Sequence, residues 1–275
     1  MNKEIKKKLA SNWFRLLQDI ICNDLEKIEK NKIKFKSKIW HRSKVKDEGG
    51  GEFRVLKSGK IFEKVGVNFS EVYGKFSNKM KKNIPGTNKN SNFWASGISV
   101  VMHMNNPNIP AIHFNTRFIY TSHGWFGGGM DVTPCIKDIK EEKLLHNELK
   151  KMCDRHNKNY HKKYKKWCDE YFYLPHRREA RGIGGIFFDY KKDNWEKDFK
   201  FVRDLGVTFK DIFSLIINKK YKKKWNLKEK EMQYIKRGRY IEFNLLYDRG
   251  TKFGLQTGGN TEAILMSLPP KAKWN

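Results

Sequence analysis

Cysteine is scarce in this chain of 275 residues, and its four copies lie far apart. Cys22, Cys135, Cys153 and Cys168 form no CxxC pair, and their density is below that of small secreted domains. This distribution argues against a disulfide framework and against compact zinc motifs. We therefore expect reduced thiols, most of them in or near the core, in a protein of a reducing compartment.

Long apolar runs are also missing. No stretch approaches the ~20 residues that a bilayer-crossing helix needs. Lysine and glutamate interrupt the N-terminal region, where a signal peptide would have its apolar segment. The sequence therefore predicts a soluble cytoplasmic protein without a membrane span.

Acidic residues are few, with 30 Asp and Glu against 58 Lys and Arg. The formal net charge of +28 and the isoelectric point of about 9.8 point first to a nucleic acid, an anionic membrane or an acidic substrate. The excess lies in dispersed tracts at residues 6–8, 162–166 and 219–224. Two interpretations stay open: a solvated lysine surface produced by an AT-rich genome, or a field that attracts an anionic ligand.

A basic nucleic-acid-binding module is the alternative class that charge alone would favour. It would bind DNA or RNA with strong salt dependence. However, no recognised nucleic-acid motif is present, and the aromatic residues follow core-like periodicity instead of forming stacking platforms. We therefore expect no nucleic-acid partner.

The fingerprints of the usual cofactors are absent. The glycine triplet at residues 49–51 has no GK[ST] or GxGxxG context, and we interpret it as a loop. There is no nucleophile elbow, reactive-cysteine context or haem attachment motif. The sequence therefore predicts no organic cofactor.

Lysine and glutamate are both absent from residues 97–120, although lysine is abundant elsewhere. Pro107 and Pro110 exclude a helix between the two halves of this window, and each half is rich in Val, Ile and Phe. We predict paired strands at 97–103 and 111–120, followed by a glycine-rich segment that ends at Pro134.

Alternation along the second of these strands places His113, Asn115 and Arg117 on one face and apolar residues on the other. Ser99, Val101 and His103 form a comparable row on the preceding strand. An ordinary amphipathic strand facing water is the simple alternative. Because a solvated face of this chain should contain lysine and glutamate, the pattern favours a polar face that lines an enclosed site.

The remaining pattern predicts one α+β domain over residues 1–275, with an antiparallel sheet and covering helices. Strands are expected at 52–57 and 60–65, joined by a Ser-Gly turn, at 186–190 and at 239–248. In the last strand Tyr240, Glu242, Asn244 and Asp248 would share a face. Helical spacing occurs at 3–30, for about 20 residues from near 136, and at 159–174, 195–205, 208–217, 227–235 and 261–268.

The ionisable candidates leave alternatives open. Four histidines could be hydrogen-bonded core residues or a weak metal cluster: His103, His113, His146 and His176. His113 is the best placed proton donor. Asp248 is either paired with the adjacent Arg249 or a general base at the mouth of a site; the other acidic candidates are Asp131, Asp189 and Glu242. The arginines at 177, 178 and 181 indicate anion binding or a structured ion pair.

Six segments, in order along the chain, resemble oxygen-dependent coproporphyrinogen III oxidase, most closely its bacterial cytoplasmic form. They are SVVMH at 99–103, HFNTR at 113–117, GGGMDVTP at 127–134, KKWCDEYF at 165–172, RGIGGIFFD at 181–189 and RGRYIEFNLLYDRG at 237–250. The resemblance extends from about Asn12 to the C-terminus with nearly unbroken spacing.

The resemblance implies an oxidoreductase of haem biosynthesis that acts on CH–CH groups with oxygen as acceptor. It would convert two propionates of coproporphyrinogen III to vinyl groups, giving protoporphyrinogen IX, CO2 and H2O2. It also implies a large flat antiparallel sheet covered by helices on both faces, and a homodimer with residues 240–275 as the dimerisation segment. Molecular oxygen would be the co-substrate, and a divalent metal, Mn2+ or a similar ion, is implied as well.

The resemblance also assigns roles. His113 is the implied proton donor, Asp248 the carboxylate that engages pyrrole N–H groups, and Arg117 the group that we expect to anchor a propionate. Substrate contacts are implied for Ser99, Asn115, Thr116, Arg117, Gly258, Gly259 and Asn260. Metal ligands are implied at His103, His113, His146 and His176. Two residues depart from the bacterial pattern: Asn260 stands where arginine is common, and Tyr190 where a second aspartate is frequent.

Overall fold

An antiparallel sheet organises the fold. The computed structural model describes residues 1–30, 32–76, 84–87, 91–256 and 259–274. The strands are β1 Lys36–His41, β2 Gly49–Lys57, β3 Phe62–Lys75, β4 Asn92–Met104, β5 Ala111–Tyr120, β6 Gly124–Thr133, β7 Tyr173–Leu174, β8 Glu179–Ala180 and β9 Gly185–Lys191. Seven of them form one sheet in the order β1-β2-β3-β4-β5-β6-β9, and β7 pairs with β8. Strands β1 to β6 therefore each pair with the next strand in the sequence, and β9 completes the sheet by pairing with β6.

Seven helices occur in the described residues: α1 Lys3–Ile28, α2 Ile139–Asp154, α3 Tyr160–Tyr171, α4 Trp195–Lys220, α5 Leu227–Leu246, α6 Arg249–Gln256 and α7 Thr261–Leu265. Asparagine side chains cap four of them, because a short amide oxygen can accept a hydrogen bond from a free N–H of the first turn. These caps are Asn2, Asn194, Asn226 and Asn260. No helix in the described ranges is long and apolar enough to cross a bilayer.

The main core lies between one face of the sheet and the helices α1, α2 and α4. Ile112, Phe114 and Phe118 of β5 are 0%, 0% and 1% exposed on this face. The Phe114 ring stacks on Phe209 of α4, with ring centroids 4.5 Å apart. Phenylalanine therefore supplies much of the buried area that joins the sheet to its helices.

The other face carries α5 and the C-terminal segment. Gln233 Nε2 and Arg237 Nη2 each donate to the carbonyl oxygen of Met104, both at 2.9 Å. Met266 packs where Gly66 has no side chain, since a Cβ at Gly66 would lie 2.9 Å from the Met266 sulfur. Helical elements thus pack on both faces, and the predicted α+β class with a large antiparallel sheet is confirmed.

The predicted strands in residues 97–103 and 111–120 are confirmed as parts of β4 and β5. Their register places Ser99 opposite Asn115. The predicted hairpin is confirmed as β2 and β3, and Ser58 adopts a positive φ of 60° at its turn. The strand expected at 186–190 is β9.

The strand predicted at residues 239–248 is wrong, because residues 239–246 are the C-terminal part of α5 and residues 247–248 connect it to α6. Asn226 and Glu229 form a capping box that starts the helix. Tyr240, Phe243 and Asn244 are then buried at helical spacing. The local alternation of apolar and polar residues therefore comes from a helical stretch of more than two turns that buries polar as well as apolar side chains.

Two further expectations are corrected. The glycine triplet is not a loop but the start of β2, where a Cβ at Gly51 would lie 2.8 Å from the Trp40 ring. The helical patterns at 195–205 and 208–217 belong to one helix, α4. Gly206 lies inside it because α1 crosses there, and a Cβ would lie 2.7 Å from Leu17.

Candidate active site

A cavity of about 620 Å³ lies between the polar face of the sheet and the helices α5–α7. This volume is within the range of small-molecule sites, about 300–1,000 Å³. The sheet contributes polar side chains from four strands, and the helices close the opposite side. Lining residues that carry chemistry include Asn68, Ser99, His113, Asn115, Arg117, Asp189, Tyr171, Asp248, Arg249 and Asn260.

Arg117 reaches this cavity from β5 and is held in place by two side chains. Its Nη2 donates to Asp189 Oδ2 at 2.8 Å, and its Nη1 donates to Asn115 Oδ1 at 3.1 Å. Gly127 lies opposite Arg117 on β6, where a Cβ would fall 2.9 Å from Nη2. The glycine leaves room for the guanidinium, which retains N–H donors for a carboxylate ligand.

His113 lies on the same strand face and is anchored by a buried ion pair. Its Nδ1 is 2.9 Å from Asp131 Oδ1, and Arg181 Nη2 donates to Asp131 Oδ2 at 2.7 Å. The Arg181 guanidinium packs against the rings of Phe172 at 4.0 Å and Phe243 at 4.5 Å. These contacts fix the orientation of the imidazole.

Asp131 is ionised in this arrangement. Burial alone would raise the pKa of Asp131, but the charge of Arg181 and the hydrogen bond from His113 outweigh it and hold that pKa below its usual value. An ionised carboxylate only accepts hydrogen bonds, so His113 Nδ1 carries the hydrogen. The other ring nitrogen, Nε2, is left for the cavity.

Asp248 occupies the junction between α5 and α6. Its Oδ2 accepts from the Thr251 N–H at 2.7 Å, and its Oδ1 accepts from the Tyr171 hydroxyl at 2.9 Å. Burial and the charge of Asp248 raise the pKa of Tyr171 to about 12, so the phenol remains a donor. The carboxylate keeps further lone pairs for a ligand N–H.

A model of the coproporphyrinogen III oxidase family matches residues 10–275 of this chain. The chain belongs to that family. The match covers the cavity-lining strands and helices together, so the resemblance carried by the six sequence segments is confirmed.

Relatives with the same description align over essentially the whole chain. A protein of Rickettsia bellii (strain RML369-C) named oxygen-dependent coproporphyrinogen-III oxidase is 50% identical over 279 residues, covering 100% of both chains. Proteins of the same name from Rickettsia akari (strain Hartford) and Rickettsia felis are 49% and 50% identical, each covering 98% of both chains.

The structure brings together most of the residues that the family resemblance indicated. Ser99, His113, Asn115, Arg117, Asp248, Gly259 and Asn260 line the one cavity. Thr116 does not, because it lies on the opposite face of β5 and is 0% exposed among core side chains. Gly258 lies outside the described residues. Asn260 Oδ1 accepts from the Ala263 N–H, so this residue caps α7.

The four histidines do not converge on one point. His103 Nε2 bonds to the Ser267 carbonyl, His146 Nε2 to the Ile183 carbonyl, and His176 to Glu242 and Tyr247. Across the ranges that the structure describes, no group of three or more His, Cys, Asp or Glu could hold a metal ion. The placement of these residues therefore does not fit a shared divalent metal.

Two cavity arginines were not predicted from the sequence. Arg249 does not pair with its neighbour Asp248; its Nη2 donates to Asp189 Oδ2 at 3.4 Å. Arg42 lies over the Phe93 ring at 4.8 Å, and its Nη1 donates to the Tyr73 carbonyl at 3.0 Å. The signal that could have found both is the choice of arginine in a chain that usually uses lysine.

Replacing Asp131 with asparagine should destabilise the protein by about 3–5 kcal/mol at pH 7, because Arg181 would be left buried without its counter-charge. The pKa of Asp131 is lowered by folding, so its contribution is present above the unfolded pKa of about 3.9 and is lost as the pH falls through the lower folded value. Urea unfolding of wild type and variant should therefore give a difference at pH 7 that shrinks as the pH falls below about 4.

The double variant Asp131→Asn/Arg181→Leu provides the control. Removing both charges should recover part of the lost stability, since an apolar side chain suits the aromatic surroundings of Arg181. Equal stability of wild type and Asp131→Asn at pH 7 would show that the pair does not hold the site.

Proposed function

We propose that this protein catalyses the oxygen-dependent oxidative decarboxylation of two propionates of coproporphyrinogen III to vinyl groups, in haem biosynthesis. Each step balances as R–CH2–CH2–COO⁻ + O2 + H⁺ → R–CH=CH2 + CO2 + H2O2. Family membership supports this assignment. The observation that carries it is a shared cavity of small-molecule size, which Arg117 and Asp248 both line.

Binding of the substrate depends on its four propionates. Arg117, Arg249 and Arg42 all line the cavity, and guanidinium groups match carboxylates geometrically. Arg42 directly follows β1, whereas Arg117 lies on β5, four strands away or about 19 Å at the usual strand spacing. The spread of these cations suits a wide macrocycle with carboxylates at its periphery. The net charge of +28 would speed its capture.

The chemistry requires an electron-rich ring to transfer two electrons to oxygen for each propionate lost. Asp248 would accept hydrogen bonds from the pyrrole N–H groups and act as the base that withdraws a proton. His113, oriented by Asp131, would hold a proton at Nε2 and deliver it to the reduced oxygen species. The apolar walls of the cavity would limit the access of water during transfer.

No step in this scheme needs an organic cofactor, and molecular oxygen serves as the electron acceptor. The four histidines have separate partners and do not form a shared metal site. We therefore assign substrate binding, proton removal and proton delivery to side chains of the protein. A cytoplasmic location is part of the proposal and agrees with the sequence-based expectation.

Removing a cavity guanidinium should weaken the reaction without unfolding the chain. Arg117→Ala should lower kcat/KM by ~10²-fold or more, since a charged hydrogen bond in an enclosed site is lost. Arg42→Ala should raise KM with a smaller change in kcat, because Arg42 follows β1, four strands from the strand that carries His113 and Arg117. Porphyrin-vinyl product is measured after aerobic incubation with the reduced tetrapyrrole, with an anaerobic blank.

Arg203→Ala is the matched control, because Arg203 is exposed on α4 and outside the cavity. Wild-type kinetics for Arg117→Ala would remove that residue from the mechanism. Absence of oxygen-dependent product with the wild-type protein would overturn the proposed function itself.

Replacing Asp248 with asparagine separates its structural role from its chemical one. Asparagine is also a good N-cap, so α6 should still begin at the same place. The variant should keep a similar thermal stability while kcat falls by about 10²–10⁴-fold, because the amide cannot act as a base. Tyr171→Phe removes one hydrogen bond to the same carboxylate and should have a milder effect. An active Asp248→Asn enzyme would assign the proton transfer to another group.

We also infer a homodimer formed through the segment 240–275. Its described part exposes four large apolar side chains within one stretch of the chain: Leu245 44%, Leu246 49%, Leu255 42% and Trp274 53%. Contiguous exposed apolar groups are typical of contact surfaces between proteins.

Light scattering of the purified protein should therefore give twice the 32.7 kDa chain mass. Leu246→Asp should shift it toward the monomer because the charge would be buried at the contact. Val207→Asp, at an exposed position of α4 on the opposite face of the sheet, serves as the control. A monomeric wild-type protein would contradict this inference.

A further inference from the structure

The connection between α4 and α5 is the most basic segment that the proposed reaction leaves unexplained. Residues 219–228, named the lysine loop, have the sequence KKYKKKWNLK. Six of these ten residues are lysine, and no acidic residue occurs between Asp211 and Glu229. None of the loop residues lines the cavity described above.

Most of the charge in this loop is not neutralised. Lys220 pairs with Asp138 and Glu141, at 2.9 and 2.7 Å. The other five lysines have no ion-pair partner within the described part of the chain: Lys219, Lys222, Lys223, Lys224 and Lys228. The basic tract of α3 is neutralised to a larger extent, since two of its four lysines, Lys165 and Lys166, pair with Asp169 and Glu170.

Two buried asparagine side chains hold the backbone of the lysine loop. Asn106 and Asn108, on the turn between β4 and β5, are only 7% and 5% exposed. Asn106 Nδ2 donates to the Lys223 carbonyl at 2.7 Å, and Asn108 Nδ2 donates to the Lys224 carbonyl at 3.3 Å. The backbone is thus anchored, while Lys222, Lys223 and Lys224 are exposed to solvent.

Large apolar side chains share this exposed surface. Tyr221, Trp225 and Leu227 are 40%, 44% and 82% exposed. Trp and Tyr are enriched at membrane–water interfaces, where their amphipathic rings match the headgroup region. A nucleic acid could stack on the aromatic rings but offers no apolar phase for the leucine. The combination therefore favours a lipid surface over a nucleic acid.

We propose that the lysine loop docks this protein on an anionic phospholipid bilayer. The lysines contact the headgroups, while Trp225 and Leu227 enter the interface. The charge of five unpaired lysines complements an anionic leaflet, and each lysine near such a surface strengthens binding. The protein is held at the surface without crossing the bilayer.

Co-sedimentation of the full chain with vesicles tests the electrostatic part. Wild-type protein should bind vesicles of phosphatidylcholine with 30% phosphatidylglycerol, and should not bind pure phosphatidylcholine. The variant K222Q/K223Q/K224Q should bind on the order of 100-fold more weakly. Its matched control is K162Q/K163Q/K166Q on α3, which removes the same charge and should change binding by less than about threefold. Equal losses in the two triple variants would overturn the proposal.

The apolar part is tested by Leu227→Gln, which keeps every charge. Its binding to anionic vesicles should fall by about tenfold, since one exposed leucine no longer enters the interface. Unchanged thermal unfolding shows that the variants are folded. If Leu227→Gln binds vesicles as wild type does, and poly-uridylate displaces the protein from them, the loop is a general polyanion site and the bilayer assignment is wrong.

Discussion

The alternation of side chains along β5 is the constraint on which the site depends. Ile112, Phe114 and Phe118 are buried against the helices, and burying each contributes roughly 1.5–3 kcal/mol. Because successive residues of a strand face opposite sides, this burial forces His113 and Arg117 onto the cavity face. A slip of one residue would exchange the two sets. The hydrophobic interactions that fold the sheet therefore also determine which side chains can meet a substrate.

Carboxylates determine how the cavity cations are arranged. Asp189 holds both Arg117 and Arg249, and Asp131 holds both Arg181 and His113. A buried charge is energetically costly unless it is paired with an opposite charge. Each of these aspartates therefore offsets the cost of burying its cationic partners in the cavity wall. Arg117 uses one guanidinium nitrogen on Asp189 and one on Asn115, and its remaining N–H donors are left for a ligand without breaking either contact. The site is thus preorganised before the substrate enters.

The central strands were predictable because their signals are local: alternation, proline in the turn and the absence of lysine. The segment 239–248 was not, since α5 buries Tyr240 and Asn244 beside Phe243, and polar residues on a buried helical face imitate strand alternation. The family resemblance indicated Thr116 as a substrate contact. Strand alternation instead places its side chain on the core face of β5. The histidines also could not be assigned from the sequence. Motif matching gave four candidate metal ligands, and only the fold reveals that they have separate hydrogen-bond partners. The pairing of Arg249 with Asp189, 60 residues away, likewise depends on tertiary contacts.

The charge inside the cavity and the charge on the surface have different consequences. Within the cavity, the formal charges of Arg117 and Arg249 are balanced by those of Asp189 and Asp248, so the positions of the donors matter more there than the net charge. The surface lysines set the long-range field, which is screened beyond about 8 Å at physiological salt and acts mainly on association rates. Asn260 also lines the cavity, but its side-chain oxygen is occupied as the cap of α7. The arginines that line its described wall are Arg42, Arg117 and Arg249, whose positions are fixed by packing on the Phe93 ring, by the missing side chain at Gly127 and by Asp189, respectively.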